Sequence, residues 1–275
     1  YLKDVESEVT HTLNNSNFYD VIPEFYKKSG CYGTSILFQE EDPFDKVRFY
    51  SLPMKNVSIV DDARGRVVEY YIDFEYTATQ AVTRFGPDKV HSEVLKEHMD
   101  GRDPNKKHTY TFYIGPNWQR NPMAMDNTNK PVISQWIDNE HKHEIQRGGF
   151  DEMPALTHRF YKRQDNPWGF SPAMKALMDG RLLSAKAKTL MRAEMKHTDP
   201  AAFDGVTKQM NNPEVFERIT EKMTLLGPAV GRFITVMDET IHRTIALLNR
   251  QGLLPEPPDE ILEDPQYEID YLSTL

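Results

Sequence analysis

Apolar residues recur at helical spacing through the first thirty positions. Leu2, Val5, Val9 and Leu13 share one face of a helix predicted over 1–13, and Phe18, Val21, Ile22 and Phe25 one face of a second over 18–28. The polar run 14–17 separates them, and the glycines of 30–33 end the second. The period then shortens. Buried or alternating runs at 34–39, 47–52, 57–60 and 67–76, with turns at 42–43 and 61–65, predict a β-meander whose one face the first helices cover. Thr77 and Gln80 open a short helix that Gly86-Pro87 closes, and 88–99 is amphipathic. A strand at 109–114, a loop rich in Pro, Asn and Gly over 115–130, a hairpin of 132–139 with 144–147 that ends at 148–150, and a strand at 156–162 complete this part.

Two long helical patterns follow. Ser171 as N-cap and Pro172 at the first helical position start a helix that meets no proline before Pro200. Over 171–197 it would run ~40 Å. Arg181, Lys188, Arg192 and Lys196 form a basic stripe, and Leu183, Ala187, Leu190 and Met191 a narrow apolar seam on roughly the opposite side. By itself this pattern describes a scaffold helix with a solvated face. After an irregular 199–212, Pro213 starts a second helix. Its apolar face runs through Val215, Phe216, Ile219, Met223 and Leu226, then Val230, Phe233, Met237, Ile241, Ile245 and Leu248. Gly227-Pro228 interrupts it, which predicts a kink or two helices at an angle. Pro255, Pro257 and Pro258 form a stiff connector, and 267–272 could be a last strand.

The 275 residues suffice for a substantial core. With 39% hydrophobic and 27% charged residues, and no apolar run near the ~20 needed to span a bilayer, the chain reads as soluble, without a membrane segment. Its one cysteine, Cys31, permits no internal disulfide and suits a reducing compartment. The net charge of −9 argues against tight wrapping on nucleic acid, which requires neutralised phosphates, but permits nucleic acid to slide past. Tyr1 starts mid-helix and Leu275 closes an apolar stretch, as expected of the ordered part of a longer chain.

The sequence offers little for bond-making chemistry. His141 and His143 form a His-x-His pair, which on a strand would aim both rings one way, yet no spacing supplies a third metal ligand. Exposed histidines on a hairpin tip are the simpler account. Asp61-Asp62 with Arg64-Gly65 fails calcium-loop spacing, and Gly30 to Gly33 lacks the phosphate-loop form. Trp118, Trp136 and Trp168 suit packing better than a ligand cage. No cofactor or metal is called for, and the chain does not read as an enzyme.

Taken in order, several segments resemble one family. They are 16–19 (SNFY), 33–43 (GTSILFQEEDP), the hairpin around 63–67, Thr79 to Val82 with Phe85-Gly86, and Gly148-Gly149-Phe150 with Pro154 and Arg159-Phe160. They continue in 169–174 (GFSPAM), 221–232 (EKMTLLGPAVGR), 252–258 and 271–273. This set is similar to the portal, or head-to-tail connector, proteins of short-tailed bacteriophages. The resemblance implies an α+β portal fold, with an α+β wing of antiparallel β-meander plus helices, a long stem helix and a long kinked wing helix. It divides the chain into wing (1–165), stem helix (166–198), a remnant of the clip and tunnel-loop region (199–212), kinked wing helix (213–252) and a connector towards the crown (253–275).

It further implies a non-enzymatic ring, a dodecamer in this family, at one capsid vertex of the virion, assembled in the host cytoplasm. Double-stranded DNA would pass through the channel. Terminase, the major capsid protein and tail adaptor proteins would be the partners. Arg181, Lys188, Arg192 and Lys196 become candidates for the DNA channel, Leu183, Ala187, Leu190 and Met191 for subunit packing, and Gly227 with Pro228 for the wing-helix kink. The chain departs from the family by lacking the first part of the wing and by stopping where the crown would begin. The stretch between His197 and Pro213 is too short for clip, returning stem helix and tunnel loop, so segments are expected to be missing near Met210-Asn211. Two other readings compete: a different virion component such as a tail adaptor, and a metal-dependent hydrolase using His141 and His143.

Overall fold

The computed structural model describes residues 1–162 apart from 102, 122, 124 and 125, then 166–174, positions 176, 177, 184, 185 and 188, and 212–258, with side chains in that last stretch from 227 onward except 229. Helix α1 (Leu2–Asn15) buries Val5, Val9, Thr12 and Leu13. Leu2, expected to point inward, is 50% exposed, while the neighbouring Tyr1 packs against the core instead. Helix α2 (Phe18–Tyr32) runs through Gly30 rather than breaking there and ends at Gly33, whose backbone is left-handed (φ 76°) and whose N–H bonds the Ser29 carbonyl. One interior glycine costs a helix only about 1 kcal/mol, which the buried Phe25 and Ser29 offset.

The strands are β1 (Thr34–Asp42), β2 (Lys46–Ser51), β3 (Val57–Asp61), β4 (Val67–Thr77), β5 (Lys107–Pro116), β6 (Val132–Asp138), β7 (His143–Phe150) and β8 (Ala155–Arg159). They form two antiparallel sheets, not one meander. Strands β3-β4-β5-β6-β7 lie in sequence order, whereas β2-β1-β8 form a separate three-stranded sheet. The break follows Ser51, where Leu52, Pro53 and a 3-10 turn redirect the chain. β1 pairs with β8 from Thr34↔Arg159 to Phe38↔Ala155. β1 is buried along 34–39, as a central strand covered on both faces must be.

Those two faces define the layers. On one, Leu37, Val47, Phe49 and Leu156 meet α1, α2 and a long helix α5 (Asn212–Arg250) through Phe25, Val236, Leu247 and Leu248. On the other, Ile36, Phe38 and Ala155 pack on Tyr70, Ile72, Ile114 and Val132 of the five-stranded sheet. The far part of that sheet is covered by α3 (Ala78–Phe85) and α4 (Ser92–Asp100), which place Ala81, Phe85 and Val94 against Tyr110, Trp136 and Ile145. α3 opens at Thr77 as expected, and there the Thr77 and Gln80 side chains form a reciprocal capping box. α4 starts at Ser92, later than expected, with His91 as N-cap, because Val90 belongs to the core rather than to the helix.

α5 is a single helix with Pro228 inside it, so the two-helix alternative does not hold. Gly227, Pro228 and Val230 are exposed. Val230, expected on the core face, is 50% exposed; among the described residues, contact with the body starts at Arg232, whose guanidinium donates to the Phe160 carbonyl. From there Phe233, Val236, Met237, Ile241, Leu247 and Leu248 face the core. Buried Thr244 accepts a 3.0 Å bond from the Gln39 side chain of β1.

Candidate functional site

The segment 166–174 is seated on the body by backbone as much as by side chains. Asn166 Oδ1 accepts from the Trp168 N–H (2.9 Å), and Thr34 Oγ1 from the Gly169 N–H (2.7 Å). Phe170 and Tyr161 exchange two backbone bonds. Fully buried Ser171 caps the helix start as the sequence predicts: its Oγ accepts from the Met174 N–H (2.9 Å) and donates to the Cys31 carbonyl at the end of α2 (2.8 Å). Gly169 and Gly33 touch backbone to backbone.

Arg159 of β8 ties the same region to the β3–β4 hairpin. Its Nη1 donates to Asp61 Oδ2 (2.6 Å) and to the Pro167 carbonyl (3.1 Å), and its Nη2 to the Gly65 carbonyl (2.6 Å). With the Arg159 side chain 11% exposed, methionine in its place would keep the stem of the side chain but strip three acceptors. Arg159→Met is expected to cost about 1–3 kcal/mol, read as a lower urea midpoint. A loss within error would show these bonds to be replaced by water.

Of the candidate channel residues, Lys188 is helical and exposed. Arg181, Arg192 and Lys196, and the seam residues Leu183, Ala187, Leu190 and Met191, lie outside the described residues, as do 199–211 and 259–275. Leu177, in the same segment, is 56% exposed.

A feature that sequence reasoning missed is an aromatic groove of about 470 Å³ on the inner face of the five-stranded sheet. It lies where the three-stranded sheet stops and α3 begins, and is lined by Phe38, Tyr50, Phe74, Phe112, Trp136 and Phe150. Arg84 of α3 stands over the Trp136 ring at 4.7 Å. The alternation Phe74-x-Tyr76 carried the only sequence signal. Of the three tryptophans, Trp136 and Trp168 pack against core clusters, but Trp118 is 86% exposed, which corrects the packing assignment for it.

The His-x-His pair does not form a site. His143 is exposed at the start of β7, whereas His141 in the β6–β7 turn faces α4. Its Nδ1 lies 2.9 Å from buried Asp138 Oδ2 and its Nε2 3.3 Å from Glu93 Oε2. The bond to Asp138 holds its pKa above the usual imidazole value. His91 stacks on it, rings 3.9 Å apart and 16° from parallel. Nearby, buried His108 is held between Glu97 (2.8 Å) and Glu140 (2.7 Å), and Lys106 pairs with Glu97, whose carboxyl it holds below the usual range. Glu93 and Glu97, one helical turn apart, thus fasten α4 to the end of the sheet.

Two antiparallel sheets and a layer of helices define an α+β protein. The family follows from the sequence as a whole: the chain belongs to the bacteriophage head to tail connecting protein family, whose sequence model matches residues 1–204 and 201–275. Among curated proteins it is similar to the portal protein of Salmonella phage epsilon15, with 24% identity over 351 aligned positions. It is also similar to the probable portal protein of Bordetella phage BPP-1, with 24% over 345. Each alignment covers all of this chain and 62% of the relative, so the chain spans about 62% of their length. Among the described residues, no helix is long and apolar enough to cross a membrane.

Proposed function

We propose that the chain is a portal subunit. It forms a ring at one capsid vertex of the virion, serves as the channel for DNA packaging and ejection, and attaches the tail. The observation that carries this is the family match along the whole chain, joined by two relatives that bear the portal name. The ring is a dodecamer assembled in the host cytoplasm. Terminase, the major capsid protein and tail adaptors are its partners, and the subunit itself catalyses nothing. Residues 1–165 and 213–252 form the wing, 166–198 the stem helix, 199–212 a remnant of clip and tunnel loop, and 253–275 the connector. Support for an interruption near 199–212 comes from the two family matches, which meet at 201–204, and from alignments longer than the 275 residues this chain supplies.

The physics suits the role. A channel must let DNA slide, and each neutralised phosphate adds affinity that would stall it. A subunit with net charge −9 and one modest basic stripe meets that need. Ring subunits make head-to-tail contacts that close by rotation, and the seam of Leu183, Ala187, Leu190 and Met191 is narrow enough for side-by-side helices. Arg181, Lys188, Arg192 and Lys196 face the channel or a neighbour's carboxylates. Electron microscopy of the purified protein should show twelvefold rings with a hole wide enough for duplex DNA. Rings without such a hole would favour a tail adaptor instead. Replacing all four basic residues with glutamate should reduce packaged DNA per particle or the yield of rings. Unchanged values of both would remove the stripe from the mechanism.

A further inference from the structure

Three side chains from distant parts of the sequence converge at the start of α4. His91 caps the helix, Glu93 lies in its first turn, and His141 comes from the β6–β7 turn. One donor atom from each lies within 4.8 Å of the other two. The Nε2–Oε2 separation of 3.3 Å between His141 and Glu93 is the edge of a tetrahedron with bonds of about 2.0–2.1 Å. Behind His141 stands Asp138, its side chain 1% exposed. Its Oδ1 accepts the N–H groups of Glu140 (3.0 Å) and His141 (3.1 Å), and its Oδ2 faces His141 Nδ1. The carboxylate therefore fixes the ring and commits Nδ1 to donating, so Nε2 is the nitrogen aimed outward at Glu93. A ligating histidine is ordinarily held this way by an outer carboxylate.

We infer that His91, Glu93 and His141 form a binding site for a divalent transition-metal ion of the zinc class, with Asp138 as the outer carboxylate and the fourth position open to solvent. Two imidazoles and one carboxylate suit zinc and disfavour magnesium or calcium, which take oxygen ligands. The metal takes the place of the proton between His141 Nε2 and Glu93. Closing the site requires the half-buried His91 ring to tilt out of its stack and to give up the 3.4 Å bond its Nδ1 accepts from the Glu93 N–H, so that its lone pair converges on the same point. The positive end of the α4 dipole opposes a cation there, and the carboxylates of Glu93 and Asp138 offset it. A bound ion would cross-link α4 to a turn 48 residues away in sequence. The simpler account is a network of hydrogen bonds and ion pairs that holds no metal.

The two accounts separate in a zinc titration of the tag-free full chain after chelator treatment, followed by calorimetry, with cobalt(II) absorption as a second reading. We expect one zinc per chain and the strong visible bands of four-coordinate cobalt. Affinity should fall at least ~10-fold in His91→Ala, Glu93→Gln and His141→Ala, and about 10–100-fold in Asp138→Asn. His143→Ala should match the unaltered chain. If His141→Ala does not fold, the partly exposed His91 and Glu93 variants carry the test. A chain that binds no zinc, or His91 and Glu93 variants that bind it unchanged, would overturn the proposal.

Discussion

Phe25→Ala is expected to destabilise the folded chain by about 3–5 kcal/mol, the usual cost of emptying a phenylalanine site in a core. Phe25 is fully buried in α2 and meets His158 of β8 and Phe233 of α5 edge-on, each at 6.2 Å between ring centres. His158 and Phe233 are themselves stacked at 3.6 Å, and Ser29 Oγ, one turn beyond Phe25, lies 2.7 Å from His158 Nδ1. Helix, sheet and long helix are thus joined at one knot of rings, so the cavity loosens all three. A total stability of ~5–15 kcal/mol leaves little after such a loss. Urea denaturation followed by far-UV circular dichroism measures it. Leu2→Ala, at a half-exposed position, serves as the comparison and should change stability by less than about 0.5 kcal/mol. A Phe25→Ala cost below ~1 kcal/mol would mean that the three layers do not share this core.

The second large effect is expected from Gly33→Ala. A Cβ at Gly33 would stand 2.5 Å from the Gly169 carbonyl oxygen, and one at Gly169 closer still to the Gly33 oxygen. Both obstacles are backbone, so neither can swing aside. The left-handed φ of Gly33 adds strain of about 1–3 kcal/mol for any other residue, and overpacking a comparable ~1–3 kcal/mol. The chain can relieve both by releasing 166–174 from α2 and β8. Trypsin cleavage after Lys162 should therefore accelerate, and ring yield should fall, with little change in the β-sheet spectrum. Gly30→Ala provides the contrast: a Cβ there meets nothing within 4 Å, in a helix that prefers alanine, so stability should hold or rise by up to about 1 kcal/mol. Equal behaviour of the two variants would refute the seating of this segment.

These two glycines lie three residues apart and look alike in the sequence, which marks where reading it succeeds and where it stops. Local signals were legible because their physics is local. The helix start at Thr77 to Gln80, Ser171 as N-cap and the alternation of β4 need only near neighbours. Pairing was not. β1 joins β8 across more than a hundred residues, and its continuous burial announces a central strand without naming its partners. His141 drew attention for the wrong neighbour, since His143 is two residues away but Glu93 and His91 face it in space. The aromatic groove exists because two covering layers stop short of each other, which the alternation of Phe74 and Tyr76 does not by itself reveal. Val230 and Leu2 follow the apolar stripe of their helices yet are half exposed, and Tyr1 rather than Leu2 packs on the core.

The pairing of β1 has a consequence for how the molecule is made. Its partner β8 arrives about 120 residues later, and Thr244, which accepts from Gln39, about 205 residues later. Such high contact order makes folding slow, since loop closure must precede most of the stabilising contacts. During synthesis the core that α1, α2, β1 and β2 share lacks the cover of Val236, Leu247 and Leu248 until α5 emerges. Aggregation competes most strongly in that interval. Lower growth temperature or chaperone supply should therefore raise the soluble yield of this subunit more than any change to its surface charge.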